Sequence, residues 1–166
     1  MNSGFYLGQF EKAAASLSTK LLAKKQMEAE TGVWLNSVVL RLQKKHWANK
    51  PFTKPQNDAA IFFSVWISDE DIKEKKILYN IHALKLRQLK GYKITSRAFV
   101  AAFRQKFKPF EKDWPKVRVD YGPLTLMQGW IPLNEKNIEK DVSTLAGKFL
   151  EIDFLIDELL GNYKHL

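Results

Sequence analysis

The chain contains no cysteine, which excludes disulfides, thiolate zinc sites and a cysteine nucleophile, and fits a reducing compartment. Three histidines occur, His46, His82 and His165, and no two of them stand at a metal-ligand spacing such as HExxH. Eight glycines and six prolines are too few for a linker-rich or collagen-like chain. None of those glycines builds a GxGxxG or GxxxxGK[ST] phosphate loop, or a GxSxG nucleophile elbow. No apolar run reaches the length of a membrane span. The opening MNSGFYLGQFEKAAA has no basic segment followed by an apolar core, so neither a secretory signal nor a membrane partner is expected. No catalytic residue, metal site or cofactor is indicated, and binding is favoured over catalysis.

What is present describes a globular protein. Hydrophobic residues make up 45% and charged residues 27% of 166 positions, with 5 Trp, 11 Phe and 5 Tyr to fill a core. A single domain over 1–166, in the cytoplasm, is the expectation. The net charge is +9, and it is concentrated. Residues 85–118 hold 11 Lys/Arg against Glu111 and Asp113, while residues 119–166 hold four against eight acids. Such asymmetry speaks to partners: a positive field attracts nucleic acid or acidic proteins. The competing reading is a lysine-rich surface that serves solubility.

Local patterning places most elements. Leu7, Phe10, Ala14, Leu17 and Leu21 step at helical spacing, which predicts one helix over 7–28 with Gly32 as its stop. Val38, Leu40 and Leu42 alternate with Val39, Arg41 and Gln43, as in a half-exposed strand within 34–47. Asn49 to Asn57, with two prolines, reads as a loop. Ala59–Ser68 (AAIFFSVWIS) is a central strand. Ser68-Asp-Glu-Asp makes a turn or a first helical turn. Residues 75–89 carry both strand alternation and helix-capping signals; the strand is preferred because the apolar stripe at helical spacing is poor. Thr95–Phe107 is a helix with Phe99, Ala102, Phe103 and Phe107 inward and Ser96 as its cap. Strands 117–121 and 124–131 flank Gly122-Pro123. The clearest helix follows, with Ile138, Val142, Leu145, Phe149, Ile152, Ile156, Leu159 and Tyr163 on one face.

The order α-β-β-β-α-β-β-α implies an α+β fold, with helices packed in two layers on an antiparallel sheet of about five strands. In element order it resembles the type III secretion chaperones. That resemblance implies, as an alternative function, a chaperone-like or protein-interaction subunit. Leu150, Phe154, Leu155 and Leu160 widen the apolar face of the last helix and suggest a homodimer.

Two groups of residues are candidates for a site. Asp58, Glu74 and Lys76 give a D-x15-E-x-K spacing that resembles metal-dependent nucleases of the PD-(D/E)xK group. Glu74, however, follows Asp69-Glu-Asp71-Ile-Lys73, a run better explained as a solvated, capping turn. The stronger candidate is the basic segment. Lys85, Arg87, Lys90, Lys93, Arg97, Arg104 and Lys108 are expected to form one face that contacts phosphates of DNA or RNA, or an acidic protein. Phe99, Phe103 and Phe107 are needed in the core, which leaves Tyr92, Phe110 and Trp114 as its exposed aromatics.

Overall fold

The computed structural model describes residues 1–52 and 58–164. Five strands form an antiparallel meander, β1 (Met27–Trp34), β2 (Ser37–Lys44), β3 (Ala60–Ser68), β4 (Lys76–Leu84) and β5 (Thr125–Pro132), in spatial order 1-2-3-4-5. Among the described residues six α-helices accompany them: α1 (Ser3–Ala15), α2 (Thr19–Lys24), α3 (Asp69–Glu74), α4 (Ser96–Phe107), α5 (Ile138–Ile152) and α6 (Phe154–Gly161). The fold is α+β, a five-stranded antiparallel sheet with helices packed on it.

The apolar run AAIFFSVWIS becomes the middle strand, and alternation decides which side each residue serves. Ile61, Phe63, Val65 and Ile67 join the core, as do Val38, Leu40 and Leu42 of β2 and Ile77, Tyr79, Ile81 and Ala83 of β4. The helices bring Tyr6, Phe10, Phe99, Phe103, Val142, Leu145 and Phe149 onto that same side. Phe63 and Phe149 stack with ring centroids 4.6 Å apart, which ties α5 to the sheet centre. Ser68 closes a reciprocal capping box with Asp71, so the acidic run is the first turn of α3. Thr95, one residue earlier than expected, caps α4.

Several local expectations are corrected. The predicted first helix breaks at Ser16–Ser18: Ser18 caps α2, and the buried face of α1 runs through Tyr6, Phe10 and Ala13 while Leu21 is exposed. Gly32 stops no helix; it lies inside β1, paired with Val39. The β1–β2 connection is a two-residue turn at Leu35 and Asn36, both at positive φ, which matches the right-handed twist of the hairpin. Residues 117–121 form no strand. Arg118 makes only an isolated bridge to Gln128 beyond the edge of β5. The last helix is interrupted at Asp153, dividing into α5 and α6 while its apolar stripe continues.

The surplus apolar residues of that last helix are accounted for inside the chain. Leu150, Leu155 and Leu160 are buried, and the half-exposed Phe154 meets Phe110 edge-on at 6.1 Å. α4 packs against α6. Three of the four residues that suggested a second subunit are thus buried within the chain. No described helix is long and apolar enough to cross a membrane.

Candidate functional site

The basic segment divides into two parts. Lys85, Arg87, Lys90, Lys93 and Arg97 are exposed and occupy the connection from β4 into the first turn of α4, a stretch of irregular backbone and one 3-10 turn at Leu86–Gln88. Lys108 is also exposed but sits at the far end of α4, about 16 Å from Arg97 at 1.5 Å per residue. Arg104 belongs to neither. Its Nη2 donates to the carbonyls of Tyr121 (2.6 Å) and Thr125 (3.0 Å), and its Nε to that of Leu126 (3.2 Å). The guanidinium clamps the loop before β5 to α4, so it is spent on backbone oxygens rather than offered to phosphate. The expected stripe down the helix is therefore replaced by a surface on the loop preceding it.

Tertiary contacts enlarge that surface with cations the sequence leaves far away. Asn49 bridges two loops: its Nδ2 donates to the Gln88 carbonyl at 2.7 Å, and its Oδ1 accepts from the Lys90 amide at 2.7 Å. The exposed Lys50 thus follows a residue tied to the loop that carries Arg87 and Lys90. The Lys93 amide donates to the Tyr163 carbonyl at 2.8 Å, and Tyr92 bridges to Lys164, which adds a further exposed cation. Lys50 shares Asp58 at 3.6 Å; among the described residues, Arg87, Lys90, Lys93 and Arg97 have no carboxylate partner. Of the expected aromatics, Tyr92 and Phe110 are half-buried, and Trp114 is in the core against Phe63, Tyr79 and Phe107.

The second face of the sheet is a feature the sequence reading missed. Its residues stay outside the core cluster, yet Arg41, Gln43, Phe62, Ser64 and Asn80 are buried there. Strand register sets Glu30, Arg41, Ser64, Asn80 and Gln128 side by side in one polar row across all five strands. Ser64 Oγ donates to Asn80 Oδ1 at 2.7 Å, and Asn80 Nδ2 lies 2.9 Å from His82 Nε2 and 3.3 Å from Gln128 Oε1. Burial holds the His82 pKa below its ordinary value, and the Arg41 charge acts in the same direction. The neutral ring accepts from Asn80. Asn80 stands between the Ser64 hydroxyl and the imidazole, so no nucleophile–base pair forms. Arg41 is 5% exposed, with its guanidinium carbon 4.1 Å from the Trp34 ring centroid and 4.8 Å from that of Phe52. Beside this row lies a pocket of about 620 Å³ walled by Val39, Phe62 and Trp66.

No protein family, curated protein or solved structure matches this chain.

The remaining candidates resolve as structural. Asp58 and Glu74 lie beyond opposite ends of β3, a strand about 30 Å long at 3.3 Å per residue, so the nuclease-like spacing assembles no site. Asp58 accepts from the Ala59 amide, and Glu74 faces Lys76 at 3.9 Å. Among the described residues no three His, Cys, Asp or Glu side chains converge as metal ligands would. His46 Nε2 lies 2.6 Å from Asp157 Oδ1, where the Trp47 indole also donates at 2.8 Å. His165 lies outside the described residues, as do positions 53–57 of the predicted loop.

Proposed function

We propose that this chain is a cytoplasmic binding module that engages a nucleic acid through the basic end of its sheet. Lys50, Lys85, Arg87, Lys90, Lys93, Arg97 and Lys164 act as phosphate contacts. The observation that carries the reading is the Asn49 bridge, which brings two basic loops together around backbone held by hydrogen bonds. A surface built from main-chain-anchored loops presents its charges at fixed separations, as a regular polyanion requires. Mere solubility would need no such gathering.

The test is salt-dependent binding of duplex DNA and of single-stranded RNA. Affinity should fall with a log–log slope of about −0.9 per duplex phosphate neutralised. Reversing Arg87, Lys90 and Lys93 to Glu should flatten that slope by about 2.7 and weaken all sequences alike. Unchanged affinity in the triple variant overturns the reading. Binding to poly-glutamate with none to nucleic acid moves the partner to acidic protein.

A further inference from the structure

The two edges of the sheet differ. Along β5, Arg118 exchanges both backbone hydrogen bonds with Gln128, at 2.8 and 3.0 Å, and the strand ends in Pro132. Along β1, β2 is the sole backbone partner among the described residues. We propose that β1 pairs antiparallel with β1 of a second copy of this chain, across a two-fold axis at Thr31, joining the two five-stranded sheets into one.

The strand has the backbone groups for this. Gln26 accepts from the Lys45 amide, and bonded pairs alternate along an antiparallel ladder. Glu28, Glu30, Gly32 and Trp34 therefore bond to β2, while Met27, Ala29, Thr31 and Val33 direct N–H and C=O outward. Edge strands are ordinarily blunted by proline, lysine, a bulge or shortness. MEAETGVW has no proline, lysine or arginine, spans eight residues and keeps an unbroken register with β2.

Exposed apolar side chains mark the same edge. Leu35 is 93% exposed and sits at φ 50°, where Asn or Gly is the unstrained choice. Val33 beside it is 45% exposed. At the strand's other end α2, which packs against β1, leaves Leu21 exposed. Apolar groups at opposite ends of one edge meet when two copies run antiparallel, as an isologous contact allows. Leu35 of each copy then comes to the Met27 end of the other, beside α2.

Charge selects the register. Outward-facing residues must oppose one another, which puts the axis on a residue. An axis at Ala29 sets Glu28 opposite Glu30, and one at Glu30 sets that residue against itself; like charges directly opposite are destabilising. An axis at Gly32 shortens the overlap. Centred on Thr31, Glu30 opposes Gly32, Glu28 opposes Trp34, and Val33 meets Ala29. The antiparallel run also sends the two basic sheet ends to opposite ends of the joined sheet, which keeps their charges apart.

The experiment measures the mass of the whole protein by sedimentation equilibrium over a wide concentration range, and a reversible dimer is expected. Thr31→Pro removes an outward N–H at the axis and no bond to β2, so the chain should fold and stay monomeric. Val33→Lys should raise the dissociation constant about tenfold, because the two-fold doubles each change. The chain has no cysteine, so oxidation reads the register. Thr31→Cys should crosslink, with Cα atoms about 5.5 Å apart across the axis; Ala29→Cys should not, at about 14 Å. Reversal of Arg87, Lys90 and Lys93 to Glu should leave the dimer intact, which separates this edge from the basic surface. A chain that is monomeric at every concentration overturns the proposal. So does a dimer that folded Val33→Lys leaves unweakened, and so does crosslinking through Ala29→Cys in place of Thr31→Cys.

Discussion

Lys44 Nζ lies 2.6 Å from Asp153 Oδ2, joining the buried side of β2 to the point where α5 gives way to α6. Both side chains are almost wholly buried. Lys25 reaches the other oxygen of Asp153 at 2.9 Å, and Lys44 also contacts Asp157. Three segments distant in sequence thus meet on two carboxylates.

Breaking this cluster from one side should be costly. Lys44→Met leaves Asp153, 1% exposed, with only Lys25 to compensate. A loss of about 3 kcal/mol is expected, the lower end for a buried pair with one partner removed. Urea unfolding should show a lower midpoint with an unchanged slope. A midpoint equal to the parent's would mean that the pair is neutral to stability.

The same cluster sets an acid sensitivity. Burial alone would raise the Asp157 pKa, but hydrogen bonds from His46, Lys44 and Trp47 outweigh it and hold the carboxyl well below its usual range. Its folded pKa is thus lower than the unfolded value of about 3.9. The stabilisation is present in full above that unfolded value and is lost as pH falls toward the folded one. Asp157→Asn should therefore be less stable than the parent at pH 7, and the gap should narrow below about pH 4. Parallel stability curves over that window would refute the assignment.

Gly129 faces Tyr79 across β4 and β5. A Cβ there would stand 2.6 Å from Tyr79 Cζ and 2.8 Å from the Pro115 carbonyl oxygen. The Tyr79 hydroxyl donates to that same carbonyl at 2.7 Å, so the ring cannot swing aside without breaking its bond. Gly129→Ala should cost about 1–3 kcal/mol, the range for overpacking. In a Tyr79→Phe background the penalty should shrink, and a double-mutant cycle measures the coupling. Strict additivity would show that the clash lies with Pro115 alone.

Arg104 offers a test that separates structural from binding cations. Arg104→Lys keeps the charge but loses the fork that reaches Tyr121, Thr125 and Leu126. Amide exchange in 121–126 should quicken and the melting temperature should fall, while nucleic-acid affinity stays within twofold or so of the parent's, about 0.4 kcal/mol. Arg87→Lys should leave both unchanged. Weaker DNA binding by Arg104→Lys with an unaltered melt would restore Arg104 to the interface.

Much of the architecture follows from signals that act within a turn or two of the chain. The AAIFFSVWIS run, rich in β-branched and aromatic residues, is the middle strand of the sheet. The stripe from Ile138 to Leu159 and the Phe99, Phe103 and Phe107 face are buried as their spacing requires. Strand β1 was hidden because MEAETGVW has weak alternation and follows an apparent helical stripe. Pairing with β2 supplies what its local propensity lacks.

Relationships between distant residues belong to the other class. Arg41, Ser64 and Asn80 are many residues apart, and only strand register sets them abreast. Asn49 and Lys90 meet because two loops leave the same end of the sheet. Composition determined that lysine and arginine would be in excess, with a net charge of +9. The tertiary structure decided that Arg104 clamps carbonyls while the segments of Lys50 and Lys164 are tied to the loop after β4. Charge is a property of each residue wherever it lies, whereas the acceptor a guanidinium finds depends on backbone that other segments bring to it.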